Sequence, residues 1–126
     1  MYHYCLKNHP SRDFFGVRAR NEDGTLGDYE WTKYSDMINE ADAFGSGLRN
    51  LELCPEINDF RDYNLRFLSI FAPNCRSWYC MDIAAMLHGI TLAPLYATLG
   101  PKTLAYVLNQ TKVKTLGLTA AGLPMI

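Results

Sequence analysis

Apolar positions along the chain change their period several times, and each change marks an element. Residues 1–13 carry His3, His9 and Pro10 without a clear period, after which Phe14, Phe15 and Val17 form a short aromatic and β-branched run. Asn21-Glu22-Asp23-Gly24 is a turn signal, and Tyr29-Glu30-Trp31 beyond it alternates aromatic with polar. The two runs are expected to pair as a hairpin with one aromatic face buried. The period then becomes helical. Tyr34, Met37, Ala41, Phe44, Leu48 and Leu51 recur at steps of three and four and share one helix face, with Thr32 as the expected cap and Pro55 as the stop. Gly45 and Gly47 fall inside this helix, where each costs about 1 kcal/mol against Ala, so close packing is expected to compensate.

The polar run from Asn58 to Asn64 reads as an exposed connection. Arg66 to Ala72 is nearly continuous in apolar residues, the pattern of a strand covered on both faces, and Pro73-Asn74 ends it. From Arg76 or Ser77 to Leu87 a helix is apolar almost all round, and Gly89 suits the left-handed position after its end. Ile90 to Leu95 is a second buried strand. Thr98-Leu99-Gly100-Pro101 opens a third helix with Leu104, Val107 and Leu108 as its stripe, and Val113 to Thr119 makes a third strand. Strands alternating with helices build a parallel sheet, so the predicted class is α/β: a partial doubly wound parallel sheet with an N-terminal hairpin. Three helices for three strands, with nothing after the last, leave part of the sheet uncovered and the fold unfinished.

Composition narrows the partners. The 126 residues are 48% apolar, enough for one domain with a core, and 12 Lys and Arg against 13 Asp and Glu leave a net charge of −1. No excess of cations is available to neutralise nucleic-acid phosphates, so no nucleic-acid partner is expected. Ile83 to Pro101 holds no Lys, Arg, Asp or Glu and is long enough for a membrane span, but His88-Gly89, Pro94 and Gly100-Pro101 punctuate it as helix, turn, strand, turn. No transmembrane segment is expected. Cys5, Cys54, Cys75 and Cys80 form no Cys-x-x-Cys pair and no zinc-finger spacing, which points to reduced thiols inside the cell.

Residue chemistry yields no assembled site. His3, His9 and His88 are too scattered for a metal, and His88 reads as a helix C-terminal histidine bonding the last carbonyls. Cys75 and Cys80 read as small apolar packing groups. Gly45-Ser46-Gly47 matches G-x-G but lies late in a helix, where amides are already bonded, so helix packing outweighs a phosphate cradle. Thr98-Leu99-Gly100-Pro101 stands between a strand and a helix start, the right place for an anion, yet one glycine and Lys102 make a weak signal. Asp59, Arg61 and Asp62 read as a solvated loop. Neither a catalytic residue nor a metal or cofactor ligand is assigned within residues 1–126.

Four segments carry a family resemblance: Tyr29-Glu30-Trp31-Thr32-Lys33-Tyr34, Phe44-Gly45-Ser46-Gly47-Leu48, Ile70-Phe71-Ala72-Pro73-Asn74 with Trp78, and Ala93-Pro94-Leu95-Tyr96-Ala97-Thr98-Leu99-Gly100-Pro101. In order and spacing, from about Phe14 to Thr119, the chain resembles the N-terminal part of the long-chain fatty acyl-CoA synthetases of the AMP-forming, adenylate-forming superfamily. It departs at Ser77, where the family usually has an acid before the tryptophan, at Glu52, where a glycine often ends the first helix, and at Ala97, where aspartate is common. The resemblance implies an N-terminal extension over 1–13 and an incomplete N-terminal subdomain of an AMP-binding domain over 14–126. It also implies a ligase that activates a fatty acid with ATP to acyl-AMP and then forms acyl-CoA, using ATP, Mg2+ and CoA. The phosphate loop, nucleotide contacts and catalytic lysine of that family lie downstream, so the chain alone is expected to be inactive and to bind none of these cofactors. The implied setting is the cytoplasm or the cytosolic face of an organelle membrane, with peripheral membrane association open to the complete enzyme. Two alternatives remain: a fragment of another adenylate-forming enzyme, and a non-catalytic α/β module that binds a partner along the sheet edge left open after Thr119.

Overall fold

A computed structural model describes residues 2–60, 63–96 and 98–125. Arg61 and Asp62 of the expected charge cluster, and Ala97 of the last family segment, lie outside the described residues. The segment without a period begins with a helix, α1 (Tyr2–Asn8), whose Tyr2 packs against a core of Met37, Ala41, Cys80, Ile83 and Ala84.

The hairpin forms as expected from β1 (Asp13–Arg20) and β2 (Leu26–Lys33), with Gly16 opposite Trp31 and Arg18 opposite Tyr29. Gly24 takes φ +83° in its turn, and the Asp23 carboxylate accepts bonds from the Thr25 amide at 2.9 Å and hydroxyl at 2.6 Å. One aromatic face is buried and the other is not. Phe15 turns inward against Tyr79, with ring centres 5.0 Å apart, while Tyr29 and Trp31 lie together on the outer face, 57% and 54% exposed. Alternation separates two faces of a strand but does not say which one the rest of the chain covers.

Helix α2 (Tyr34–Asn50) buries Met37, Ile38, Ala41, Gly45 and Leu48. Its N-cap is Lys33, without a side-chain bond; Thr32, the expected cap, stays in β2, and its hydroxyl accepts a bond from Arg76 Nε at 3.2 Å. The helix stops at Asn50, well before Pro55. The Leu53 amide donates to the Leu48 carbonyl at 2.9 Å and the Glu52 amide to the Arg49 carbonyl at 3.2 Å, a paired closure that puts Glu52 at φ +53°. Phe44 and Leu51, expected on the buried face, remain 39% and 70% exposed.

The expected polar connection is instead a second antiparallel pair, β3 (Glu56–Phe60) with the start of β4 (Tyr63–Phe71), where Glu56 faces Arg66 and Ile57 faces Leu65. Its polar side chains suit an edge strand as well as a loop. Strand β4 is central. Its second half pairs in parallel with β5 (Thr91–Leu95) and with β6 (Leu116–Leu118), so Ser69 faces both Ala93 and Leu116. Helix α3 (Arg76–Leu87) links β4 to β5, and Gly89 after it takes φ +63° as expected. Helix α4 (Pro101–Thr111), with Pro101 in its first turn, links β5 to β6.

The two sheet faces have separate cores. Leu48, Cys54, Leu68, Ala85 and Ile90 fill the face under α2 and α3, and Phe71, Leu95 and Leu104 fill the face under α4. The sheet is therefore covered on both sides, as the doubly wound reading requires. Strand β6 is shorter than the expected Val113–Thr119 and only half-buried throughout, so the uncovered part lies there. A final 3-10 turn follows (Ala120–Met125), with Gly122 against the Phe71 ring. Among the described residues no helix is long and apolar enough to cross a membrane.

Candidate binding crevice

Consecutive parallel strands β4 and β5 send their following helices to opposite faces of the sheet, which opens a crevice at their carboxyl ends. Ala72, Pro73 and Asn74 leave β4 on one side of it, Trp78 rises from the first turn of α3, and Pro94, Leu95 and Tyr96 close the other side. The crevice holds about 430 Å³. Leu95 is its buried member and Ala72 and Trp78 are half-buried, while Pro73, Asn74, Pro94 and Tyr96 are exposed. Among the described residues no Lys, Arg, Asp, Glu or His lines it; its polar side-chain groups are the Asn74 carboxamide, the Trp78 indole N–H and the Tyr96 hydroxyl. The Leu99 amide donates to the Tyr96 carbonyl at 3.0 Å and fixes the turn that carries Tyr96.

The Trp78 wall is held from behind. Arg76, two residues earlier, makes a two-pronged ion pair with Glu40 of α2, at 2.8 and 2.5 Å, while bonding Thr32 of β2. That bond holds the Glu40 carboxyl below its ordinary value and raises Arg76 above its own. Burial, with Glu40 nearby, pushes up the Cys80 thiol, which lies in the core as expected of a packing residue. Cys75 is the N-cap of α3 and makes no side-chain cap bond. Burial also raises the Asp82 carboxyl.

The remaining candidates do not converge on this place. The His88 backbone amide caps α3 through the Ala84 carbonyl, but its ring turns away to Asp42 at 3.0 Å and packs on Gly45, rather than bonding carbonyls with its side chain. Gly45 is thereby explained, since a Cβ there meets the His88 ring at 2.1 Å; Gly47 has nothing within 4 Å and no such reason. His9 packs edge-on to Tyr4. Gly100 caps α4 without side-chain help, and Thr103 and Leu104 amides already donate to its carbonyl. Among the described residues no three His, Cys, Asp or Glu are grouped to hold a metal ion. Residue chemistry missed the crevice because none of its members is reactive. The usable signal was positional: two family segments each run across the end of a parallel strand.

Comparison with known proteins follows the same lines. A family model described as AMP-binding enzyme matches residues 6–122. The chain is 32% identical over 113 residues to fatty acyl-CoA synthetase A of Dictyostelium discoideum, covering 90% of this chain and 16% of that protein. It is 29% identical over 113 residues to the peroxisomal long chain acyl-CoA synthetase 7 of Arabidopsis thaliana, covering 90% of this chain and 15% of that protein. The chain thus spans about a sixth of the length of these curated relatives. Among solved structures, a Brucella canis acyl-CoA synthetase superposes with a TM-score of 0.70 at 15% identity over 98% of this chain and 21% of that one. The adenylation and carrier didomain of a Segniliparus rugosus carboxylic acid reductase, in complex with AMP, gives 0.75 at 19% identity over 98% of this chain and 18% of that one. At these identities the superpositions establish the fold.

Proposed function

Because the chain belongs to the AMP-binding enzyme family, we propose that residues 1–126 are N-terminal material of a long-chain fatty acyl-CoA synthetase. The observation that carries this reading is a match running from residue 6 to 122, alongside curated relatives that are acyl-CoA synthetases. The complete enzyme joins a fatty acid carboxylate to the AMP of ATP with release of pyrophosphate, and the CoA thiol then displaces AMP. The side chains described here do not fit the Mg2+ of that chemistry, which needs a set of oxygen ligands. No reaction step is therefore assigned to them. Their part is structural: a sheet covered on both faces, with a crevice at its switch point. The setting is the cytoplasm or the cytosolic face of an organelle membrane, and peripheral membrane association belongs to the complete enzyme.

The test is to express the full open reading frame that encodes these residues and assay it with palmitate, ATP, Mg2+ and CoA. Equal release of pyrophosphate and palmitoyl-CoA is expected. Activation of an amino or aryl acid but not of fatty acids moves the protein to another adenylate-forming activity. Residues 1–126 alone are expected to show no ATP binding tighter than about 10 μM by titration calorimetry.

A further inference from the structure

We infer that the outer face of the β1–β2 hairpin lies on the headgroup layer of an anionic phospholipid bilayer. The inference rests on the peripheral association proposed above, to which it gives a surface, and not on the reaction. Its argument begins with what shares that face. Residues opposite one another across a ladder point the same way, and so do residues two apart along a strand. Gly16 opposite Trp31, Arg18 opposite Tyr29 and Arg20 opposite Leu26 therefore form one face, with β2 carrying one residue more than β1 between the last two pairs. All but Gly16 are exposed, Leu26 by 52% beside the two aromatic rings.

The chemistry of the face selects the partner. Trp and Tyr join an apolar ring to a polar N–H or O–H, the combination that settles at a water–hydrocarbon boundary, and Leu26 adds aliphatic surface. The two guanidiniums complement anionic headgroups. Arg18 donates to the Gly27 and Leu26 carbonyls, at 2.8 and 3.1 Å, which fixes its place without neutralising its charge. The acids of the hairpin lie off this face or at its margin. Glu30 is opposite Val17 on the other side, Asp13 is opposite Lys33 at the far end, Glu22 and Asp23 belong to the turn, and Asp28 stands in the bulge. The relief is level as well. Trp31 lies across Gly16, filling the space left by the missing side chain, and its ring centre is 5.6 Å from that of Tyr29. A level face suits a bilayer better than an acidic peptide, which needs slots for its side chains. A single-stranded nucleic acid also stacks on such rings, but it needs a run of cations along its backbone, and this face has two.

The chain carries two tryptophans, Trp31 on this face and Trp78 on the crevice, which supplies an internal control. In Trp78→Phe, emission comes from Trp31 alone; in Trp31→Phe, from Trp78 alone. Each chain is titrated with vesicles of phosphatidylcholine and phosphatidylserine at about three to one, with and without lipid bearing a nitroxide near its headgroup. A blue shift of Trp31 and its quenching by the nitroxide are expected, with Trp78 unchanged. Arg20→Gln, checked for fold by circular dichroism, should weaken partition about five-fold, and Arg20→Lys, which keeps the charge, should retain it. An unshifted Trp31 overturns the inference, as does equal partition into vesicles of phosphatidylcholine alone or equal quenching of both tryptophans. A larger response of Trp31 to poly-glutamate or oligothymidylate than to vesicles overturns it in favour of an acidic protein or a nucleic acid. Flotation of the full reading frame with vesicles while its Trp31 stays unshifted removes this surface but leaves peripheral association standing. Palmitoyl-CoA synthesis is read separately, so either result leaves the enzymatic reading intact.

Discussion

The β1–β2 hairpin and the β4–β5–β6 layer are both sheets built from apolar residues, yet they use those residues in opposite ways. In the layer, Leu68, Ile70 and Phe71 are each at most 4% exposed, closed off by helices on both faces. In the hairpin, aromatic residues alternate, and the pair Tyr29 and Trp31 stays in solvent with the Arg18 guanidinium 5.8 Å from the Tyr29 ring centre. A continuous apolar run therefore reports how a strand is covered, whereas an alternating one reports only that its two faces differ.

The sharpest way to break this comparison is truncation on both sides of it. Leu68→Ala should destabilise the chain by about 2–5 kcal/mol, since a 1% exposed side chain leaves a cavity. Trp31→Ala should cost about 1 kcal/mol or less, despite removing a larger group. Chemical denaturation measures both, and equal losses would show that something covers the outer aromatic face. Glycines under rings repeat the contrast at smaller scale. Gly45→Ala drives a methyl into the His88 ring, which α3 and Asp42 hold in place, and should cost about 1–3 kcal/mol. Gly16→Ala meets the Trp31 ring at 2.9 Å, but that exposed ring can swing outward, so the midpoint should shift by under about 0.5 kcal/mol.

Two further changes sharpen the account of the helical side. Glu52→Gly should raise stability by about 0.5–1 kcal/mol, because a glutamate sits at φ +53° where glycine is unstrained. An unchanged thermal midpoint would mean that the turn after α2 differs from the one described. The smallest effect concerns pH. The Glu40 carboxyl is lowered by its bond to Arg76, so its contribution is present above the ordinary glutamate range and is lost as pH falls through the lowered value. Burial raises Asp82, with the opposite sign: protonation favours the folded chain there, and stability falls as pH rises through that window. Glu40→Gln should therefore remove a loss of stability seen as pH is lowered below the ordinary glutamate value, and Asp82→Asn a loss seen as pH is raised above the ordinary aspartate value. Unaltered profiles in both variants would remove these two groups from the pH response.

Much of the architecture was legible because its signals were local. The strand–helix alternation from Arg66 onward, the left-handed Gly89 and Pro101 at the start of α4 all follow from backbone chemistry within a few residues. What failed depended on distant partners. Thr32 has the chemistry of a cap, but Arg76 from α3 takes its hydroxyl. Residues 58–60 and 63–64 have loop composition and still form strands, because β3 and the start of β4 pair with each other. The end of α2 was half visible: the family resemblance leads to an expected glycine at position 52, and the glutamate there adopts the backbone conformation that glycine would take. The crevice lay in plain sight as two family segments, but its residues carry no reactive group to mark it, and its shape appears only once β4 and β5 lie side by side.

The central position of β4 also sets a timetable for synthesis. The first part of β4 finds its partner at once, because β3 directly precedes it and antiparallel hairpins close within microseconds. The later part waits. Ser69 reaches its second neighbour only when Leu116 has been made, roughly 2–9 s later at about 5–20 residues per second. During that interval the strand of Phe67, Leu68, Ile70 and Phe71 has both edges open until β5 is made and one edge open thereafter. Nascent-chain binding by a chaperone should peak in this window and decline once β6 has been translated.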